Sequence, residues 1–97
     1  MKVWLDDERK APEGWIHFTN VEDLIPWVSI HMDEISIMSL DHDLGLEVKT
    51  GYDFMCWLEG KIMIDGVKKI PKIKIHSANP VGKKKMKQVL DRINNWV

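Results

Sequence analysis

Residues 34–45 read "EISIMSLDHDLG". The first seven residues form a short, largely apolar run, and this predicts a buried strand over 34–40. The strand stops in three ionisable side chains in a row, Asp41, His42 and Asp43. Such an ending is either an ordinary polar loop or half of a functional site. The segments on either side decide which.

Upstream, "KVWL" (2–5) reads as a first strand, again stopped by acids, Asp6 and Asp7. Pro12 and Gly14 make 8–14 a loop. "WIHFT" (15–19) alternates as a short second strand. A helix is expected from about Asn20 to Met32, with Thr19 or Asn20 as N-cap and Glu22 or Asp23 in its first turn. Pro26 conflicts with that helix and implies a kink or a different boundary. Downstream, "TGYDFMCWLEGKIMI" (50–64) opens on the capping-box spacing Thr50-x-x-Asp53 and sets Phe54, Met55, Leu58 and Ile62 on one helical face. Gly66 suits its C-terminal cap. "KIKIHS" (72–77) alternates as a half-exposed fourth strand. Asn79 as N-cap and Pro80 as first helical residue start a last helix. Its apolar positions are Met86, Leu90, Ile93 and Val97. Trp4, Trp27 and Trp57 fall in these segments and are expected to pack in the core.

Strands alternating with helices imply a parallel sheet with right-handed crossovers. The expected fold is α/β: a shortened, three-layer flavodoxin- or receiver-like arrangement with four strands in the order 2-1-3-4 and flanking helices. Winding then reverses between the first and third strands. Ligands of open α/β sheets bind at the carboxyl ends of strands at such a switch point.

At 97 residues the chain fits one domain, 1–97. A net charge of −1 gives no argument for non-specific nucleic-acid binding, and double-stranded DNA is not expected as a partner. The single cysteine, Cys56, forbids an internal disulfide and suggests no oxidising compartment. With no signal peptide and no apolar run of membrane length, a cytoplasmic protein that avoids the membrane is expected.

All three central strands end in reactive side chains: Asp6-Asp7, Asp41-His42-Asp43 and His76-Ser77-Ala78-Asn79. Neighbouring strands lie about 4.8 Å apart, so Asp6, Asp7, Asp41 and Asp43 should crowd together and repel. A divalent cation resolves such crowding, and an oxygen-only donor set suits Mg²⁺ or Mn²⁺. Beside the acids lies the N-terminus of the last helix, where Gly82 permits close approach and Lys83 adds charge; this suits a phosphate. Taken singly these features are ordinary. Asp6-Asp7 suits any turn, Asn79 any helix cap, and the lysine run any solvated face. His76 points to the opposite face and reads as a structural histidine, while His17 and His31 carry no visible role.

Together the residues resemble receiver domains. In that family an acid pair ends strand 1, a phosphorylatable aspartate ends strand 3, and a hydroxyl residue ends strand 4. Asp6-Asp7, Asp41 and Ser77 match these positions. The loop at 8–14 is too short for the usual first helix, and the fifth strand with its lysine has no counterpart. A closer resemblance runs through "VWLDDER", "SLDHDLG", "TGYD" and "IHSANPVG" to the small stand-alone cyclic-phosphate processing receiver domains. It implies a metal-dependent site that acts on or senses a phosphoester, with 2′,3′-cyclic phosphates on RNA ends or nucleotides as the implied class, and it draws His42 and His76 into the matched motifs.

The function expected from this is a domain dependent on Mg²⁺ or Mn²⁺ that processes or senses a phosphoester, a phosphoesterase if it turns its ligand over. Asp6, Asp7, Asp41 and Asp43 hold the metal. Asp41, His42 and Asp43 do the chemistry, with His42 as general acid/base. Ser77, Asn79, Gly82 and Lys83 steady the phosphate. Attack by water and attack by Asp41 both fit. The alternative is a non-catalytic receiver-like module that holds a phosphorylated ligand and regulates a protein partner. A degenerate signalling receiver and a haloacid-dehalogenase-like phosphatase fit less well, the latter for want of its further motifs.

Overall fold

The computed structural model describes residues 1–67 and 69–96. In chain order the elements are β1 (Lys2–Leu5), β2 (Ile16–Phe18), α1 (Val21–His31), a 3-10 turn (Met32–Glu34), β3 (Ile37–Leu40), α2 (Gly51–Asp65), β4 (Lys72–Ile75) and α3 (Pro80–Trp96). The four strands are all parallel, in the order β2-β1-β3-β4. This is the order read from the sequence, in an α/β receiver-like fold.

Local chemistry explains the boundaries. Asn20 caps α1 by accepting from the Asp23 N–H at 2.8 Å. Pro26 lies inside α1, which runs on to His31 because Val21, Leu24 and Val28 hold one face in the core. The chain then tightens into the 3-10 turn, so β3 starts three residues later than the apolar run suggested. Thr50 and Asp53 form the expected capping box on α2. Gly66 closes that helix in the left-handed conformation at φ 64°, its N–H bonded to Ile62. Asn79 Oδ1 accepts from the N–H groups of Val81 and Gly82, both at 3.1 Å, and so caps α3. Met86, Val89 and Ile93 carry its buried face, with Leu90 beside them. Val97, expected on that face, lies outside the described residues.

One sheet face makes the core. Val3, Leu5, Met38, Leu40 and Ile73 point to it and meet the apolar faces of all three helices. The other face carries Lys2, Trp4, His17, Ile37, Ser39, Lys72 and Lys74, and its lysines and His17 are exposed. The expected three layers are therefore two. A loop replaces the helix between β1 and β2, and right-handed crossovers put α1 and α2 on one side, where α3 packs against α2. A shortest dimension of 19 Å agrees, since each further layer adds roughly 10 Å. Trp27 and Trp57 pack against the core as expected, but Trp4 does not: it stands on the outward face, stacked on His76 with ring centroids 4.0 Å apart.

The register sets up the site. Leu5, Phe18, Leu40 and Ile75 form one row across the carboxyl end of the sheet. The ladder continues for one more bond in each of three strands, through the N–H groups of Asp6, Asp41 and His76. These three residues thus leave the sheet side by side.

Candidate functional site: an acidic cleft at the carboxyl edge

Asp6 is the most constrained acid of the chain, with 1 % of its surface exposed. Its Oδ1 accepts from the backbone N–H groups of Glu8 at 2.8 Å and Arg9 at 2.9 Å, and its Oδ2 meets His76 Nε2 at 3.0 Å. Burial pushes this carboxyl up. The two backbone donors and the His76 ring outweigh burial and hold it below the ordinary carboxylate range. Behind His76 lies Ser39, whose hydroxyl is 2.7 Å from Nδ1. In the tautomer that satisfies every group, Ser39 donates to Nδ1 and Nε2–H donates to Asp6. Ser, His and Asp lie in the order of a hydrolase triad. Ser39, however, is 4 % exposed and sits behind the imidazole, so the chain serves to aim Asp6. The histidine read as structural, on the opposite face, thus reaches across the sheet edge into the site. His17 also gains a role, with Nε2 2.7 Å from the Asp6 carbonyl.

Asp41 responds in the other direction. Burial and the neighbouring Asp6 charge raise its carboxyl, against the bond from the His42 N–H and the pull of Ser77 and His76. Ligand oxygens of Asp6, Asp7 and Asp41 all lie within 4.8 Å of one another. Three carboxylates from two adjacent strand ends, one of them already resisting ionisation, fit a hard divalent cation.

Asp43 is not part of that trio among the described residues; its carboxylate turns to His42 and Asn79. The His42 Nδ1 is 2.9 Å from Asp43 Oδ1, and Asn79 Nδ2 donates to the same carboxylate at 3.3 Å. The His42 bond, helped by Asn79, keeps Asp43 below its ordinary range despite some burial. The His42 ring is seated against Gly82, where a Cβ would come within 2.4 Å of it. The close approach that Gly82 permits is to this imidazole, and its N–H is taken by Asn79. Ser77 Oγ accepts from the Asn79 N–H at 3.1 Å and faces the Asp41 side. Lys83 does not line the acid cleft; it lines a separate groove on α3 with Lys84, Lys87 and Asp91.

The acids open into a cleft of about 430 Å³, lined by Asp6, Asp7, Asp41 and Asp43 together with Arg9, Leu46 and their neighbours. Arg9 is the one cation in that lining among the described residues, and its Nη1 donates to the His76 carbonyl at 3.2 Å. In the sequence Arg9 falls in the 8–14 loop and closes the "VWLDDER" motif without a role of its own; its place three residues after Asp6 is the available signal. Leu46, 93 % exposed at the rim, gave no signal at all. Chemically, the cleft offers carboxylates for a cation, a guanidinium for an anion and, in Asp43, a carboxylate bonded to the His42 ring behind it. No helix among the described residues is long and apolar enough to cross a membrane.

No curated protein and no solved structure matches the sequence significantly. The family model of the cyclic-phosphate processing receiver domain matches residues 1–92. That span includes both strand-end acid motifs, the capped α2 and the "IHSANPVG" segment, and the chain belongs to the cyclic-phosphate processing receiver family.

Proposed function

We propose that the protein is a Mg²⁺- or Mn²⁺-dependent enzyme acting on a phosphoester, with a 2′,3′-cyclic phosphate on an RNA end or nucleotide as substrate. The observation that carries this is the meeting of Asp6, Asp7 and Asp41 within 4.8 Å in a cleft that also holds Arg9. A cation there would polarise a phosphoryl oxygen and supply a water of lowered pKa. The chain's own residues do the rest. His76 and two backbone N–H groups keep Asp6 ionised and aimed. Arg9 faces the phosphate charge that a receiver meets with lysine. Asp43 fixes the His42 ring through Nδ1, leaving Nε2 for acid–base work. Asn79 and Ser77 position Asp43 and Asp41 and stand ready for phosphate oxygens. Gly82 acts through His42, and Lys83 contributes only distant charge. A single exposed cysteine, Cys56, suits a reducing cytoplasmic setting.

A thermal-shift series with EDTA, Mg²⁺ and Mn²⁺, each with and without nucleoside 2′,3′-cyclic phosphates, tests the reading. The expected result is a metal-dependent rise that grows with cyclic phosphate, with ring-opened product in the same samples. Absence of any metal effect overturns it. Binding without product leaves the regulatory module that presents a bound phosphoester to a protein partner. A reducible acyl phosphate on Asp41 under single turnover would separate Asp41 attack from water attack.

A further inference from the structure

Parallel sheets are normally covered on both faces. Here the outward face is open, and its chemistry is not that of a missing apolar layer. The outward strand positions carry Lys2, Lys72 and Lys74, all exposed, with His17 and no acid among them. In a chain of net charge −1 this is a segregation of sign. Set among the lysines are two partly buried indoles. Trp4 and Trp15 stand edge to face at 5.8 Å, and Lys2 Nζ lies 5.9 Å from the Trp15 centroid. Cations interleaved with aromatic rings on a four-stranded sheet make a surface for stacked bases and a phosphate backbone.

The face is continuous with the acid cleft. The Trp4 ring lies flat on His76, and the far nitrogen of His76 is bonded to Asp6. Trp4 Nε1 donates to the Arg9 carbonyl at 3.0 Å, and Arg9 lines the cleft. A strand lying on the sheet can therefore deliver its end to the carboxylates.

We propose that this face binds single-stranded RNA and leads its 3′ end, closed as a 2′,3′-cyclic phosphate, into the cleft. The proposal rests on the phosphoester reading above and names the substrate as a strand end rather than a free nucleotide. Ribose is required because only a 2′-hydroxyl can close the ring. Four strands of four residues or fewer offer room for about two or three bases, the number stacked by RNA-recognition-motif sheets. A second copy of the chain is a poor occupant, since the same face would set lysine against lysine.

The test compares three probes in Mg²⁺ by fluorescence anisotropy or calorimetry: a hexaribonucleotide ending in 2′,3′-cyclic phosphate, the same hexamer ending in 3′-hydroxyl, and a cyclic mononucleotide. The cyclic hexamer should bind at least tenfold more tightly than the mononucleotide. Lys72→Glu/Lys74→Glu and Trp15→Ala should each remove most of that gain. Mononucleotide binding should stay unchanged, which also shows that the variants fold. The salt slope should fall by about 0.7 for each lysine that meets a phosphate. If the mononucleotide binds and the hexamer gains nothing, the sheet-face proposal is overturned while the cleft reading stands. If the hydroxyl hexamer binds through the lysines and the mononucleotide does not bind at all, the face holds and the cleft reading falls. A dimer in sedimentation that Lys72→Glu/Lys74→Glu dissociates would also overturn it, by assigning the face to a second copy.

Discussion

Two aspartates side by side, Asp6 and Asp41, are held in opposite protonation tendencies. Asp41 is raised by burial and by Asp6, so its ionisation weakens the fold. Its penalty is complete above the raised pKa and disappears as pH falls toward the unfolded value of 3.8. Asp41→Asn should therefore stabilise the metal-free protein at neutral pH by about 1 kcal/mol, which is about 4–8 °C in a domain this small. The gain should shrink on acidification, and Mg²⁺ should no longer raise the melting temperature; paired melts with and without EDTA read both effects. Asp6 works the other way. Its carboxyl is lowered, so its contribution is present above pH 3.8 and is lost as pH falls through a folded value below that. His76→Ala would leave Asp6 Oδ2 and the Ser39 hydroxyl buried without partners and unstack Trp4. We expect a loss of about 1–3 kcal/mol in urea unfolding, and an unchanged midpoint would mean that His76 does not hold Asp6.

At the scale of elements, glycines decide how closely the helices approach the site. Gly51 opens α2 directly against β3's exit, where a Cβ would fall 1.9 Å from the Asp41 carbonyl oxygen. Backbone cannot yield as a side chain can. Gly51→Ala should cost about 3 kcal/mol and disturb the 41–43 loop. Gly60 lies in the same helix with nothing within 4 Å of its would-be Cβ, and Gly60→Ala should stabilise by about 0.5–1 kcal/mol. Chemical denaturation of both variants checks the pair, and equal effects would refute the packing argument.

On the scale of the molecule, β1 and β3 are the central strands and both end in the acids. Their amides should exchange slowest with solvent, while the three-residue edge strand β2 exchanges faster. Added Mg²⁺ should slow exchange in segments 6–9 and 41–43 and leave α1 unchanged. Hydrogen-exchange mass spectrometry measures both. Protection spread evenly over the chain would argue against a cation held at the strand ends.

What the sequence determined by itself was local or periodic. Alternating apolar residues marked the strands, Thr50-x-x-Asp53 and Asn79-Pro80 marked the helix starts, and acids at strand ends marked where the acidic cleft lies. Strand order followed because connection rules leave few alternatives. Tertiary structure alone decided the rest, since each case depends on partners distant in sequence. His76 reached Asp6 across 70 residues, Asp43 was drawn from the expected group of four acids toward Asn79, 36 residues on, and Gly82 made room for the His42 imidazole. The largest such decision was the second layer: crossover handedness gathered the helices on one face and left Trp4 and three lysines on the other. Periodicity reports which residues share a face of an element, and only packing decides what that face meets.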